Sequence, residues 1–154
     1  MRGDVLTVER VVPAPPEAIF ALVANTTRHA EIDGSGTVMR PKAGTPERLS
    51  LGATFVMSMK IAGIGYSMVN NVIEFEEDRR IAWQARPPGL IGRFSGGQIW
   101  RYEFEPVDGG TRVRESWDLS QDGQRTLLKF SGMPTRMQRA MEKSLERIER
   151  LMGR

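Results

Sequence analysis

The stretch MPTRMQRAMEKSLERIERLM, Met133 to Met152, decides how this chain folds. Its apolar residues Met133, Met137, Ala140, Met141, Leu145, Ile148, Leu151 and Met152 recur at three- and four-residue steps. Arg136, Arg139, Glu142, Lys143, Glu146, Arg147 and Arg150 fill the other face. That period is an amphipathic helix, whose apolar stripe needs a partner surface. The chain from about Thr54 to Ser120 reads as strands able to supply one. A curved sheet wrapped around one long helix leaves a hollow between them, so the layout points to a container for an apolar small molecule.

A chain of 154 residues is expected to form one domain, 1–154, burying close to ~70% of its unfolded surface. With 40% hydrophobic and 27% charged residues, the composition is that of a soluble globular protein. No apolar run approaches the ~20 residues of a membrane span, so no stable membrane insertion is expected. The opening MRGDVLTVER lacks the apolar core of a secretory signal, which places the expected location in the cytoplasm. The absence of cysteine excludes disulfides and thiolate metal sites. The net charge is +3; from Gln121 onward eight Lys/Arg face four Asp/Glu, so this tail holds +4 and the remainder −1. A basic helix can meet nucleic acid or an anionic membrane. Here acids are interleaved, Glu146 and Arg150 at i,i+4 among them, so a solvated face and no nucleic-acid partner are expected.

Upstream, Asp4 to Val12 alternates as a first strand, ended by Pro13, Pro15 and Pro16. Proline and Glu17 suit a helix start, and Ile19, Phe20, Leu22 and Val23 give that helix a buried side ending near Asn25. Thr26 or Thr27 caps a second short helix to about Ile32, followed by a turn through Asp33 to Gly36. Thr37 to Gly52 is mostly loop. Strands are expected at Ala53–Ile61, Tyr66–Glu76, Arg80–Arg86, Gln98–Glu105 and Thr111–Leu119, with Asp108-Gly109-Gly110 a strong hairpin signal. Sequential strands on short polar turns make an antiparallel meander. With helices on one side only, the fold class is α+β.

Several segments together resemble the polyketide cyclase/dehydrase-like branch of the START and birch-pollen-allergen-like superfamily. They are Val12-Pro13-Ala14-Pro15-Pro16-Glu17-Ala18-Ile19-Phe20, Arg28 through Val38, Phe75 to Trp83, and Trp100-Arg101-Tyr102-Glu103-Phe104 followed by Gly110-Thr111-Arg112-Val113. The run His29-Ala30-Glu31-Ile32-Asp33-Gly34-Ser35-Gly36 looks like actinobacterial members in particular. The resemblance covers essentially the whole chain. It implies a helix-grip fold, a bent antiparallel sheet closing around a C-terminal helix, with a cavity for lipids, polyketides or sterols. It implies no single reaction, because such folds include cyclases, lipid carriers and hormone receptors.

If Ile81, Trp83, Trp100, Tyr102, Phe104, Val113 and Trp117 face inward, the strand period carries Glu115 inward with them. A carboxyl in an apolar interior must be paired, protonated or beside water, and in a cavity it can serve as general acid or base. A satisfied carboxyl near the cavity mouth, or a bulge turning it outward, is the alternative. Asn71 points inward if Val69, Ile73 and Phe75 do; the opposite register, with Tyr66, Met68, Asn70 and Val72 inward, stays open. His29, the only histidine, has Asp33 four residues on to orient its ring, or is a surface or capping residue. Met57, Met59, Met133, Met137 and Met141 either line the ligand space or fill core. Tyr102 either donates to a ligand or packs on Trp100. Leu90 and Ile91 read as a lid or interface patch, and Leu127, Leu128 and Phe130 as guards of the opening. One histidine and no cysteine make a metal site improbable, no Gly-x-Ser-x-Gly elbow is present, and no cofactor is expected.

The leading expectation is therefore a carrier of a hydrophobic small molecule, walled by Met57, Met59, Val69, Trp83, Trp100, Tyr102, Trp117, Phe130, Met133, Met137 and Met141, with Glu115, Asn71 and His29 for polar ends. The alternatives are a cyclase or dehydratase using Glu115 or His29 for proton transfer, and an interaction module whose cavity is filled by its own side chains. Monomer and homodimer both remain open.

Overall fold

In the computed structural model, residues 1–153 are described. They form a seven-stranded antiparallel sheet of order β1-β7-β6-β5-β4-β3-β2. Strand β1 (Val5–Val12) ends at the prolines, and Pro16 opens helix α1 (Pro16–Val23), which buries Ile19, Phe20, Leu22 and Val23. Phe20 meets Phe75 and Phe104 edge-on, at 5.4 and 5.6 Å between ring centroids. A 3-10 turn, Thr26–Arg28, is capped by the Asn25 side chain accepting from the Thr27 N–H, and leads into α2 (His29–Ile32). These helical pieces carry the chain from one sheet edge, β1, to the other, β2 (Val38–Pro41).

The meander follows as β3 (Thr54–Ile61), β4 (Ile64–Glu76), β5 (Arg80–Arg86), a short α3 (Ile91–Phe94), β6 (Gln98–Val107) and β7 (Gly110–Asp118). Asp108-Gly109 makes the two-residue turn that its composition signals. The β3–β4 turn is Ala62-Gly63, tighter than the four-residue gap expected between Ile61 and Tyr66. Ala62 adopts a left-handed φ of 49° and Gly63 one of 82°, so β4 starts two residues early, at Ile64. After β7, α4 (Arg125–Phe130) leads into α5, which spans Met133–Met152 and buries Met141, Ser144, Leu145 and Ile148.

One irregularity in β4 decides which side chains reach the interior. Val72 pairs with Trp83 but Glu74 pairs with Ala82, so Ile73 is an extra residue, a bulge. Phe75 faces the core, and so does Val72; Ile73 is exposed. Parity therefore changes across the bulge. The inward residues of the lower strand are Tyr66, Met68 and Asn70, which overturns the reading that put Val69 and Asn71 inside.

Candidate functional site

Between the concave sheet face and α5 lies a cavity of about 930 Å³. Met57, Met59, Trp83, Trp100, Tyr102, Met133, Met137 and Met141 line it, together with His29 and Glu115. It is not filled by the protein's own side chains. Four expected site residues lie elsewhere. Val69 and Asn71 fall on the other side of β4, where the Thr54 hydroxyl donates to Asn71 Oδ1 at 2.7 Å. Phe130 sits on α4 and is 85% exposed. Trp117 is fully buried but outside the cavity wall; its indole N–H donates to Gln98 Oε1 at 2.6 Å.

The structure adds wall residues and selects the β4 register, left open by the sequence, that brings in Met68 and Asn70. Phe55, Met68, Asn70, Gln98 and Ser144 join the lining. Gln98 was recoverable, since it shares parity with Trp100 and Tyr102. Ser144 follows Met141 by one helical step. Asn70 belongs to the alternative register of β4, with the parity change at the bulge. Its Nδ2 donates to the carbonyls of Phe55 and Met68 at 3.4 and 3.3 Å. That leaves its carbonyl oxygen as the acceptor it can offer a guest.

Glu115 is the polar centre of the wall. It is 3% exposed, opposed by Tyr102 on β6 and Val8 on β1. Among the described residues, Glu115 Oε2 is the buried side-chain polar atom without a hydrogen-bond partner. Burial pushes its carboxyl up to about 8; the Tyr102 hydroxyl pulls the other way, and the negative charge of Asp33 adds to the rise. At neutral pH the group is therefore mostly a neutral acid, able to donate as well as accept. Burial also pushes the Tyr102 phenol well above its ordinary value, and Glu115 adds to that.

His29 is buried rather than superficial. Its ring stacks on Trp83 at 5.1 Å and meets Phe55 edge-on at 5.7 Å. Nε2 lies 2.7 Å from the Val23 carbonyl, which can only accept, so Nε2 carries the proton and Nδ1 the lone pair. Burial lowers its pKa, against the pull of the Val23 carbonyl and of Asp33. The expected orienting role of Asp33 does not hold, because that carboxylate accepts instead from the N–H groups of Ser35 and Val38. Its loop is pinned to α5. The Gly34 N–H donates to Ser144 Oγ at 2.8 Å, and Arg147 donates to the Asp33 carbonyl. Among the described residues, no group of three or more His, Asp or Glu is gathered as metal ligands, and no helix is long and apolar enough to cross a membrane.

A bent sheet gripping one long helix over a hollow defines the helix-grip class. Residues 4–153 match the family described as polyketide cyclase / dehydrase and lipid transport, and the chain belongs to it. An uncharacterised protein of Mycobacterium tuberculosis, Rv0088, is 34% identical over 135 residues, 79% of this chain and 56% of that protein. The chain thus spans little more than half the length of the curated relatives it matches. Among solved structures, protein CV1439 of Chromobacterium violaceum superposes with a TM-score of 0.76 at 16% identity, covering 98% of both chains. The major latex-like protein 151 of Panax ginseng superposes with a TM-score of 0.68 at 10% identity, covering 96% of both. These structural likenesses concern the fold.

Proposed function

We propose that the chain binds and carries a hydrophobic small molecule, lipid-, polyketide- or sterol-like, in the cavity between the sheet and α5. The observation that carries this reading is the unpartnered Glu115 Oε2 in the wall of an open, methionine- and aromatic-lined space. A buried polar atom without a partner is costly, and a guest hydroxyl or carbonyl would supply one. Apolar walls give affinity at about 25 cal/mol per Å² buried, before ordering costs. Methionines accommodate guests of varied shape. Native mass spectrometry of the purified protein, followed by organic extraction, tests the proposal. A bound mass that extracts as an apolar molecule supports it; a protein that never retains one, whatever lipid or polyketide is offered, sinks it.

A second reading has its own support. A carboxyl held at about 8 can both give and take a proton near neutrality, the requirement for acid–base cyclisation or dehydration. His29 Nδ1, with its lone pair free, is the complementary base. This reading requires that Glu115→Gln and His29→Ala each abolish turnover of a polyketide-like substrate while leaving its binding in place.

A further inference from the structure

The open end of the molecule differs from the rest of its surface. Three connections leave the sheet there: the β3–β4 turn, the β5–β6 segment with α3, and the β7–α5 segment with α4. Cross-strand pairs fix this, since Ala85 opposes Gln98, Ile99 opposes Asp118 and Val69 opposes Arg86. The last two connections touch, with the Phe94 carbonyl oxygen 3.8 Å from the Cβ position of Gly123. They present Leu90, Ile91, Phe94, Leu127 and Phe130 to solvent, Phe94 and Phe130 at 84% and 85% exposure. Side chains of this kind stay exposed at a cost unless something covers them.

The same end is predominantly basic, and its few acids, Asp4 and Asp122 among them, already have partners. Residues 53–73, 86–97 and 123–141 contain no Asp or Glu, yet hold Lys60, Arg86, Arg93, Arg125, Lys129, Arg136 and Arg139. Among the described residues only Lys129 of these has an acidic partner, Asp4 at 3.0 Å. Neighbouring acids are already engaged: Asp33 within its loop, Asp118 with Arg101, Asp122 with the Gln124 N–H. The opposite end carries Glu76, Glu77, Asp78 and Asp108.

We propose that this end docks on the surface of an anionic lipid bilayer, the apolar tips entering the head-group region and the arginines meeting lipid phosphates. Two copies joined through this face would set its cations against one another, which opposes self-association. A nucleic acid would match the cations but leave the aliphatic tips without a partner. A bilayer surface accepts both. Ile61, Tyr66, Gly132 and Met133 of this end also line the cavity, so a docked molecule turns its opening toward the lipid. The docking does not depend on the ligand reading.

Co-sedimentation of the full chain with phosphatidylcholine vesicles, with and without phosphatidylglycerol, tests it. Binding is expected only to the anionic vesicles and should fall as salt shortens the Debye length. Phe94→Ser with Phe130→Ser should weaken it roughly ten-fold or more. Arg93→Glu and Arg125→Glu should each weaken it about five-fold or more. Circular dichroism should find these surface variants folded. Failure to bind anionic vesicles, equal binding to neutral ones, binding undiminished in the folded variants, or a dimer abolished by the two Phe→Ser changes would each overturn the proposal. An empty cavity with intact vesicle binding removes the ligand reading alone; a loaded cavity without vesicle binding removes the docking alone.

Discussion

Tyr102 and Glu115 stand directly opposite one another across β6 and β7, so a phenol and a carboxyl share one buried patch of an apolar wall. On the carboxyl's other flank the opposing residue is Val8, which offers nothing polar. Both acidic groups are pushed upward, primarily by burial, and both stay neutral in the cavity at neutral pH. This patch of the wall is thus a hydrogen-bonding surface without a net charge, suited to a neutral hydroxyl or carbonyl.

Stability should record the state of Glu115. Between its ordinary 4.5 and about 8, the folded protein holds a proton that the unfolded chain has released. The folded state binds more protons, so stability falls as pH rises through that window. His29 acts in the other sense. Its pKa is lowered from 6.5, so the unfolded chain takes the proton first and stability is lost as pH falls below that value. Above pH 6.5 Glu115 dominates this pair's slope, and denaturant unfolding should show a loss of roughly 1.5 kcal/mol by pH 8. Glu115→Gln should flatten that slope and be the more stable protein at pH 8, as expected where function retains a costly group.

Trp83 should report on His29, which stacks against it with 22° between the ring planes. A protonated imidazole quenches a neighbouring indole. Because burial lowers the His29 pKa, quenching should develop below pH 6.5 rather than centred on it. His29→Gln should remove the transition from the emission titration. A midpoint at 6.5 would mean that the ring is solvated, and one above it that a negative charge stabilises the imidazolium.

Gly34 gives the motif around His29 a structural reason. A Cβ there would lie 2.1 Å from the Ala140 carbonyl oxygen, inside α5, so only glycine lets the α2–β2 loop approach the helix. Gly34→Ala should cost about 1–3 kcal/mol in thermal or denaturant unfolding, through displacement of the loop from α5. Ser144→Ala, which removes the acceptor of the Gly34 N–H, should cost about 1 kcal/mol.

Much of this architecture is written in periodicity. The three- and four-residue steps from Met133 to Met152 mark α5 over the same bounds, because a helix needs one continuous stripe to reach its sheet. Two-residue alternation carries Glu115 inward with Val113 because β7 pairs without interruption. The same rule fails in β4, where the bulge at Ile73 shifts parity and no residue type announces it. Phe130 and Trp117 fail for another reason. Hydrophobicity alone does not distinguish a cavity wall from a solvent-facing tip or from solid core. Only the placement of α4 outside the cavity and the engagement of Trp117 with Gln98 separate these cases.

The bulge itself makes the most discriminating prediction, because it assigns two adjacent asparagines to opposite environments. Asn70 is 5% exposed in the cavity wall, whereas Asn71 is exposed and accepts from Thr54. Asn70→Asp would bury a carboxylate in an apolar wall, so it should cost at least about 2 kcal/mol at neutral pH and recover part of that at acidic pH as the group protonates. Asn71→Asp keeps the acceptor for the Thr54 hydroxyl and meets water, so it should change stability by no more than about 0.5 kcal/mol. If the cavity holds a ligand, Asn70→Asp should also lower its occupancy in native mass spectrometry, and Asn71→Asp should not. The reverse ranking of the two variants would require β4 to run through Ile73 unbulged. Val69 and Asn71 would then face the interior, and the cavity wall described for β4 would be wrong.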